Sequence, residues 1–194
     1  EALELHLKAR SAIPTDLPLF LFGHSLGGLV TIGSIMKQQD GIKAAVISSS
    51  AMQKPSSVFE RTLASLMVKL NPAGPMPLPR PGTEALTRDQ ELVKLIDADP
   101  LMDKGKARNL VAKTILDISD EVWGWASNWT LPTLIIHGDK DTSTDHRNSK
   151  QLFNTIRSQD KTLLVYPGGY HELLNDTIKD DVLPVVLGWL RSRL

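Results

Sequence analysis

The sequence predicts an α/β protein: a mostly parallel sheet with helices on both faces and an all-helical insertion between two strands. Three observations carry that prediction. Apolar, strand-like runs over 18–23, 43–50, 132–137 and 162–166 alternate with helix-period patterns, an order that implies parallel pairing through crossover connections. The first run, Leu19-Phe20-Leu21-Phe22, ends in Gly23-His24-Ser25-Leu26-Gly27 and passes at once into an amphipathic helix. From 51 to 127 the strand signal stops and only helical patterns and a proline-rich stretch remain.

Taken in order, Ala2, Leu5 and Ala9 stand at helical spacing, and Pro14 with Pro18 separates that helix from the first strand. After the Gly-x-Ser-x-Gly turn, Leu29, Val30, Ile32, Ile35 and Met36 mark one helix face, with Gly41 where a C′ glycine is expected. The second strand is rich in Ala, Val and Ile. Val58, Leu63, Leu66, Met67 and Leu70 then line a helix, 71–82 is interrupted by prolines, and further helical patterns cover 88–97 and 104–118 ahead of Trp123, Trp125 and Trp129. Beyond the third strand, Leu152, Phe153 and Ile156 point a helix inward. A last helix over 178–193 buries Val182, Val186, Trp189 and Leu190, with Pro184 close enough to its start to be tolerated. The domain reading is a core of 1–50 plus 128–194 and a helical cap over 51–127.

The chain has 194 residues with Lys+Arg and Asp+Glu equal at 22 each, so no basic excess recommends nucleic acid as a partner. Cysteine is absent, which excludes disulfides, thiol catalysis and Cys-ligated metal. No apolar run reaches membrane-spanning length, and the expectation is a cytoplasmic or peripherally membrane-associated protein, with oligomeric state left open. Lys54, Arg61, Lys69 and Arg80 face only Glu60 around the first cap helix. One reading of that bias is contact with an anionic lipid surface; the other is a solvated face. The apolar stripe at Met67 and Leu70 likewise reads either as the underside of a lid or as core.

The chemistry gathers at strand ends. Ser25 sits on the turn after a strand, where glycines at 23 and 27 are expected to avoid collisions with neighbouring backbone, and the positive end of the next helix points at any oxyanion formed beside it. The backbone N–H of Leu26 is the expected oxyanion donor. A serine hydroxyl needs a histidine to take its proton and a carboxylate to orient that histidine. Of the five histidines, His6 and His146 fall on helical, exposed positions, and His24 points away from the hydroxyl. His137 reads as a packed, hydrogen-bonded strand-end residue, and His171 lies in the glycine-flanked loop after the last strand. For the acid, Asp139, Asp141 and Asp145 cluster after the third strand, and spacing alone does not separate them. The order Ser, Asp, His is that of the α/β-hydrolase fold.

Together, Gly23-His24-Ser25-Leu26-Gly27-Gly28, His137-Gly138-Asp139-Lys140-Asp141 and Tyr166-Pro167-Gly168-Gly169-Tyr170-His171-Glu172-Leu173-Leu174-Asn175 resemble the monoacylglycerol lipase, or lysophospholipase-like, branch of the α/β-hydrolases. Leu86-Thr87-Arg88-Asp89, Asp99-Pro100-Leu101 and Gly105-Lys106 resemble that family's cap helices. The resemblance implies Ser25 as nucleophile, Asp141 rather than Asp139 as acid, His171 as base, and a lipid-like ester as substrate. No metal or organic cofactor is required. Ile96 and Asp97 stand where the family's cap often carries an aromatic residue. Family members begin with further strands and a His-Gly loop that supplies a second oxyanion amide. The expectation is therefore that this is the later part of a longer chain, with that donor upstream of Glu1. The alternatives are a general carboxylesterase or aminopeptidase on the same scaffold, a hydrolase-fold ligand-binding protein, or an inactive fragment.

Overall fold

A computed structural model describes residues 1–14, 16–76, 81–102 and 105–194, so Arg80 lies outside the described residues. Four strands, β1 (Leu19–His24), β2 (Ile42–Ser48), β3 (Thr133–Gly138) and β4 (Lys161–Tyr166), form one parallel sheet in sequence order. Among the described residues, seven α-helices accompany them: α1 (Ala2–Ser11), α2 (Ser25–Lys37), α3 (Val58–Leu70), α4 (Gln90–Ala98), α5 (Asn109–Trp125), α6 (His146–Thr155) and α7 (Lys179–Arg191).

Because side chains alternate across a strand, each central strand supplies two cores. Ala45, Ile47 and Ile135 face one layer, packed with Leu29, Ile32 and Ile35 of α2, Val122 of α5 and Leu152 of α6. Val46, Leu134 and Ile136 face the other, against Val182 and Val186 of α7. Both faces are therefore covered by helices. Burial on two faces is why β2 and β3 read as unbroken apolar runs. Trp129 lies fully buried in the first layer and donates its indole N–H to Thr133 Oγ1 at 2.8 Å.

Several expectations need correction. The inward face of α1 is Leu3, His6, Leu7 and Arg10, while Leu5 is 61% exposed. Arg10 decides the helix's rotation by donating at the end of α2 to the carbonyl oxygens of Ser34 (3.0 Å), which also accepts the Gln38 N–H, and of Gln38 (2.9 Å). His6 and His146 are half-buried rather than exposed. Gly41 is not the C′ residue of α2, which ends at Lys37; its φ of +80° serves the turn into β2 instead. The helix expected over 104–118 is α5, which begins later and runs on to Trp125, because Ile115, Ile118 and Val122 pack into the first layer. That core therefore reaches across the expected boundary at 127.

Between β2 and α5, α3 opens with a capping box, Ser57 and Glu60 exchanging backbone and side-chain hydrogen bonds, and it buries none of its residues. Phe59, Leu63, Leu66 and Leu70, spaced as one stripe, are all exposed, Phe59 at 74% and Leu70 at 75%. Leu63 also lines, with Ala64 and Met67, a groove of about 330 Å³ against Ala112 and Leu116 of α5. The cations around α3 are not opposed by Glu60 alone: Arg61 pairs with Asp120 of α5 at 3.5 Å, while Lys54 pairs with Glu60 at 3.3 Å. Among the described residues, no helix is long and apolar enough to cross a membrane.

Candidate active site

Three strand ends meet at one place. β1 runs into α2 through Ser25, whose φ of 52° is the left-handed conformation that turns its hydroxyl out of the sheet. Gly23 permits the turn: a Cβ there would come within 2.5 Å of Thr31 Oγ1 and 2.8 Å of the Gly27 carbonyl oxygen. Gly27 is different, since a Cβ there meets nothing within 4 Å. The second tight position is Gly28, where a Cβ would lie 3.1 Å from Ser50 Cα. Leu26 is the second residue of α2, so its N–H has no partner inside the helix and points with the dipole's positive end.

Ser25 Oγ lies 2.9 Å from His171 Nε2, and His171 Nδ1 lies 2.7 Å from Asp141 Oδ2. His171 is 97% buried; it hangs from the loop after β4, and Asp141 from the loop after β3. The rival carboxylates are occupied elsewhere. Asp139 Oδ1 accepts the Gly168 N–H at 2.6 Å, while Asp145 caps α6 and pairs with Arg147. These are the loop and cap roles their positions suggested.

Asp141 is held on both oxygens. Its Oδ1 accepts the backbone N–H groups of Ser143 (2.7 Å) and Thr144 (2.9 Å), and its Oδ2 accepts the Thr144 hydroxyl at 2.7 Å. His137, fully buried, brings Nε2 to 3.1 Å from the same Oδ2 while its Nδ1 meets Ser149 Oγ at 2.8 Å. A Ser149 hydroxyl donating to Nδ1 leaves the proton on Nε2, from where His137 donates to Asp141. Burial alone would raise the Asp141 carboxyl, but the hydrogen bonds from His137 and His171 outweigh it and hold the group well below the ordinary carboxylate range. His137 was legible as a packed strand-end residue. Its grip on Asp141 follows from the i, i+4 spacing once Gly138 turns the chain.

The elbow and the histidine loop are also tied directly. His24 Nε2 lies 3.0 Å from Glu172 Oε1 and His24 Nδ1 lies 3.2 Å from Ser48 Oγ. The hydrogen bond from His24 keeps the Glu172 carboxyl below its ordinary range against the opposing effect of burial. Each partner is the sequence neighbour of a triad position, yet they are 148 residues apart. Nothing local in the sequence announces the pair. The loop is braced from the other side by buried Asp176, which accepts from the Arg88 backbone and guanidinium and from the Tyr170 N–H.

A cavity of about 490 Å³ opens over Ser25 and His171, lined by Leu86, Met102 and Ser143 and by the polar side chains of Thr83, Glu84 and Asp97. Asp97 accepts from Thr83 Oγ1 at 2.7 Å. Thr83 and Glu84 precede α4 and Asp97 lies within it, and their place beside Ser25 is set by packing that their spacing did not signal.

Gly138 sets the approach of the two loops. A Cβ there would stand 2.1 Å from the Gly169 carbonyl oxygen, itself the acceptor of the Lys140 N–H at 3.0 Å. Gly138→Ala is expected to push the His171 loop away by roughly an ångström, costing about 100-fold in turnover and about 1–3 kcal/mol of stability. Wild-type rate and melting temperature in the variant would refute this.

A protein-family model described as serine aminopeptidase, S33, matches residues 3–178. Monoacylglycerol lipase of Mycolicibacterium smegmatis is 31% identical over 178 residues, covering 92% of this chain and 64% of that protein. Monoglyceride lipase of Mus musculus is 32% identical over 184 residues, covering 92% of this chain and 60% of that protein. Among solved structures, the monoacylglycerol lipase of Paleococcus ferrophilus superposes with a TM-score of 0.83 at 27% identity, over 100% of this chain and 77% of that one. The chain thus spans 64% and 60% of the length of these two curated relatives.

Proposed function

The chain belongs to the α/β-hydrolase family described as serine aminopeptidase, S33, and from that premise we propose that the protein is a serine hydrolase of lipid-like carboxylic esters. We assign it monoacylglycerols or lysophospholipids as substrates. The observation that carries the proposal is the unbroken relay from Ser25 Oγ through His171 (2.9 Å) to Asp141 (2.7 Å) on the wall of a cavity. The similarity to monoacylglycerol lipases supports the choice of substrate.

In this reading Ser25 attacks the ester carbonyl as its proton passes to His171 Nε2, and Asp141 stabilises the imidazolium. The tetrahedral oxyanion takes a hydrogen bond from the Leu26 N–H. Collapse of the intermediate passes the proton to the leaving alcohol and leaves Ser25 acylated. Water, deprotonated by the same histidine, then releases the fatty acid. Every proton the chemistry moves is carried by His171, so these steps require no metal or organic cofactor. The exposed apolar stripe of Phe59, Leu63, Leu66 and Leu70 would rest on a lipid surface and bring the cavity to its substrate, peripherally rather than by insertion.

A second reading has a specific observation in its favour: Glu84 and Asp97 place two carboxylates in the cavity, which an amine-bearing substrate such as an aminoacyl amide would need. One experiment separates the two. Initial rates are measured on a monoacylglycerol in phospholipid vesicles, a short p-nitrophenyl ester and an aminoacyl amide, with the wild type and a Phe59→Ser, Leu70→Ser double variant. The proposal expects the vesicle substrate to be turned over fastest and to suffer most in the variant. Fastest turnover of the amide would replace it with the second reading.

A further inference from the structure

The His24–Glu172 pair lies against the triad, and its donor set has a second chemistry. One ligand atom from each of His24, His171 and Glu172 lies within 4.8 Å of the others. The His24 and His171 rings are 4.8 Å apart between centroids. We propose that these three side chains bind a zinc-like divalent cation, and that the bound cation switches the triad off.

Two imidazoles and a carboxylate are a donor set suited to Zn²⁺, which also accepts a fourth ligand from solvent. Each of the three already has the outer partner that a metal ligand requires. His171 gives its Nδ1 proton to Asp141 at 2.7 Å, which leaves Nε2 as a lone-pair donor. Glu172 Oε2 accepts from Asn175 Nδ2 at 3.1 Å, orienting the carboxylate. His24 Nδ1 faces Ser48 Oγ at 3.2 Å, and a hydroxyl can accept as well as donate. When a cation arrives between His24 Nε2 and Glu172 Oε1, now 3.0 Å apart, the imidazole proton moves to Nδ1 and is accepted by Ser48.

Tetrahedral zinc holds its ligands about 3.3 Å apart, given bonds of about 2.0–2.2 Å. The His24–Glu172 separation already suits that spacing, and the His171 nitrogen has to close the remaining distance. The route in is open: the His24 and Glu172 side chains are each 25% exposed beside a cavity of about 180 Å³. The consequence follows from the electron pair. His171 Nε2 cannot ligate the cation and take the proton of Ser25 Oγ, which lies 2.9 Å away, so an occupied site has no general base. Only this consequence rests on the proposed function; binding itself does not.

The test measures both on the full-length protein. Binding is followed by the visible absorption of Co²⁺, a spectroscopic stand-in, and by competition with Zn²⁺. Inhibition is followed as the rate of fluorophosphonate labelling with Zn²⁺ or with EDTA, each variant compared with its own EDTA rate. Loss of an outer-shell partner costs about 10–100-fold in affinity, so removing a ligand in His24→Asn or Glu172→Gln is expected to raise half-inhibiting zinc by at least about 100-fold. His146→Asn serves as the control and should respond as the wild type does. Two results would overturn the proposal: His24→Asn and Glu172→Gln variants as sensitive to zinc as the wild type, or saturating zinc that leaves labelling at full rate. If the wild type is not labelled at all, the hydrolase reading fails. The Co²⁺ band then still decides the site, supporting it if His24→Asn and Glu172→Gln abolish the band and refuting it if they do not.

Discussion

Replacing Ser25 by alanine is expected to lower ester turnover by about 10⁴- to 10⁶-fold, the range seen when a triad nucleophile is removed. The size follows from how the residue is held. Its left-handed φ of 52° costs roughly 1–2 kcal/mol for a side chain of this kind, and the hydroxyl it presents has His171 at 2.9 Å. Alanine keeps the conformation and loses the nucleophile, so melting temperature should stay nearly unchanged while fluorophosphonate labelling disappears. Covalent labelling of the Ser25→Ala protein would show that another residue is the nucleophile.

Asp141→Asn is the second large effect, expected at about 10⁴-fold in kcat by misorienting the histidine tautomer. Here it is aggravated, because Oδ2 faces three groups poised to donate: His171 Nδ1, the Thr144 hydroxyl and His137 Nε2. An amide with its oxygen toward them loses the charge that holds them together, and with its nitrogen toward them it opposes donor to donor. The same network makes a pH prediction. Burial would raise this carboxyl, yet the histidine hydrogen bonds depress it, so its folded-state pKa lies below the unfolded value of about 3.9. A depressed carboxyl contributes stability that is fully present above the unfolded pKa and lost as pH falls toward the folded one. The variant should therefore be destabilised at pH 7 and approach the wild type below about pH 4. Urea midpoints at the two pH values check this; a difference that grows on acidification would contradict it.

The site was partly legible because its parts are local. Gly23, Ser25 and Leu26 belong to one strand-turn-helix unit, and positive φ at Ser25 with no room for a Cβ at Gly23 are consequences of a sharp turn that five consecutive residues encode. His171 could be ranked, and the acid narrowed to Asp139, Asp141 and Asp145, because strand ends are where a parallel sheet collects chemistry. The choice between Asp139 and Asp141 was not encoded in spacing. Both follow β3 by one turn of loop, and only the backbone path separates them, sending Asp139 to the Gly168 amide and Asp141 to His171.

Where pattern reading failed, the deciding contact was distant in sequence. Ala2, Leu5 and Ala9 make a plausible stripe, but Arg10 reaching the Ser34 and Gln38 carbonyls at the end of α2 rotates the helix the other way. The C-terminal part of α5 looked like cap, and its apolar face is spent on the main core through Val122.

By itself the sequence determined the class of fold, the helical character of the segment between β2 and β3, the candidates Ser25 and His171, and the carboxylate cluster that holds Asp141. These depend on periodicity and on motifs a few residues long, and both survive in a string of letters. The tertiary structure alone decided that His137 shares Asp141, that His24 meets Glu172, and that Glu84 and Asp97 look into the cavity over Ser25. Such contacts need angles and distances between elements that only the packed sheet and its loops define, because hydrogen bonds act over about 3 Å and carry no trace along the chain.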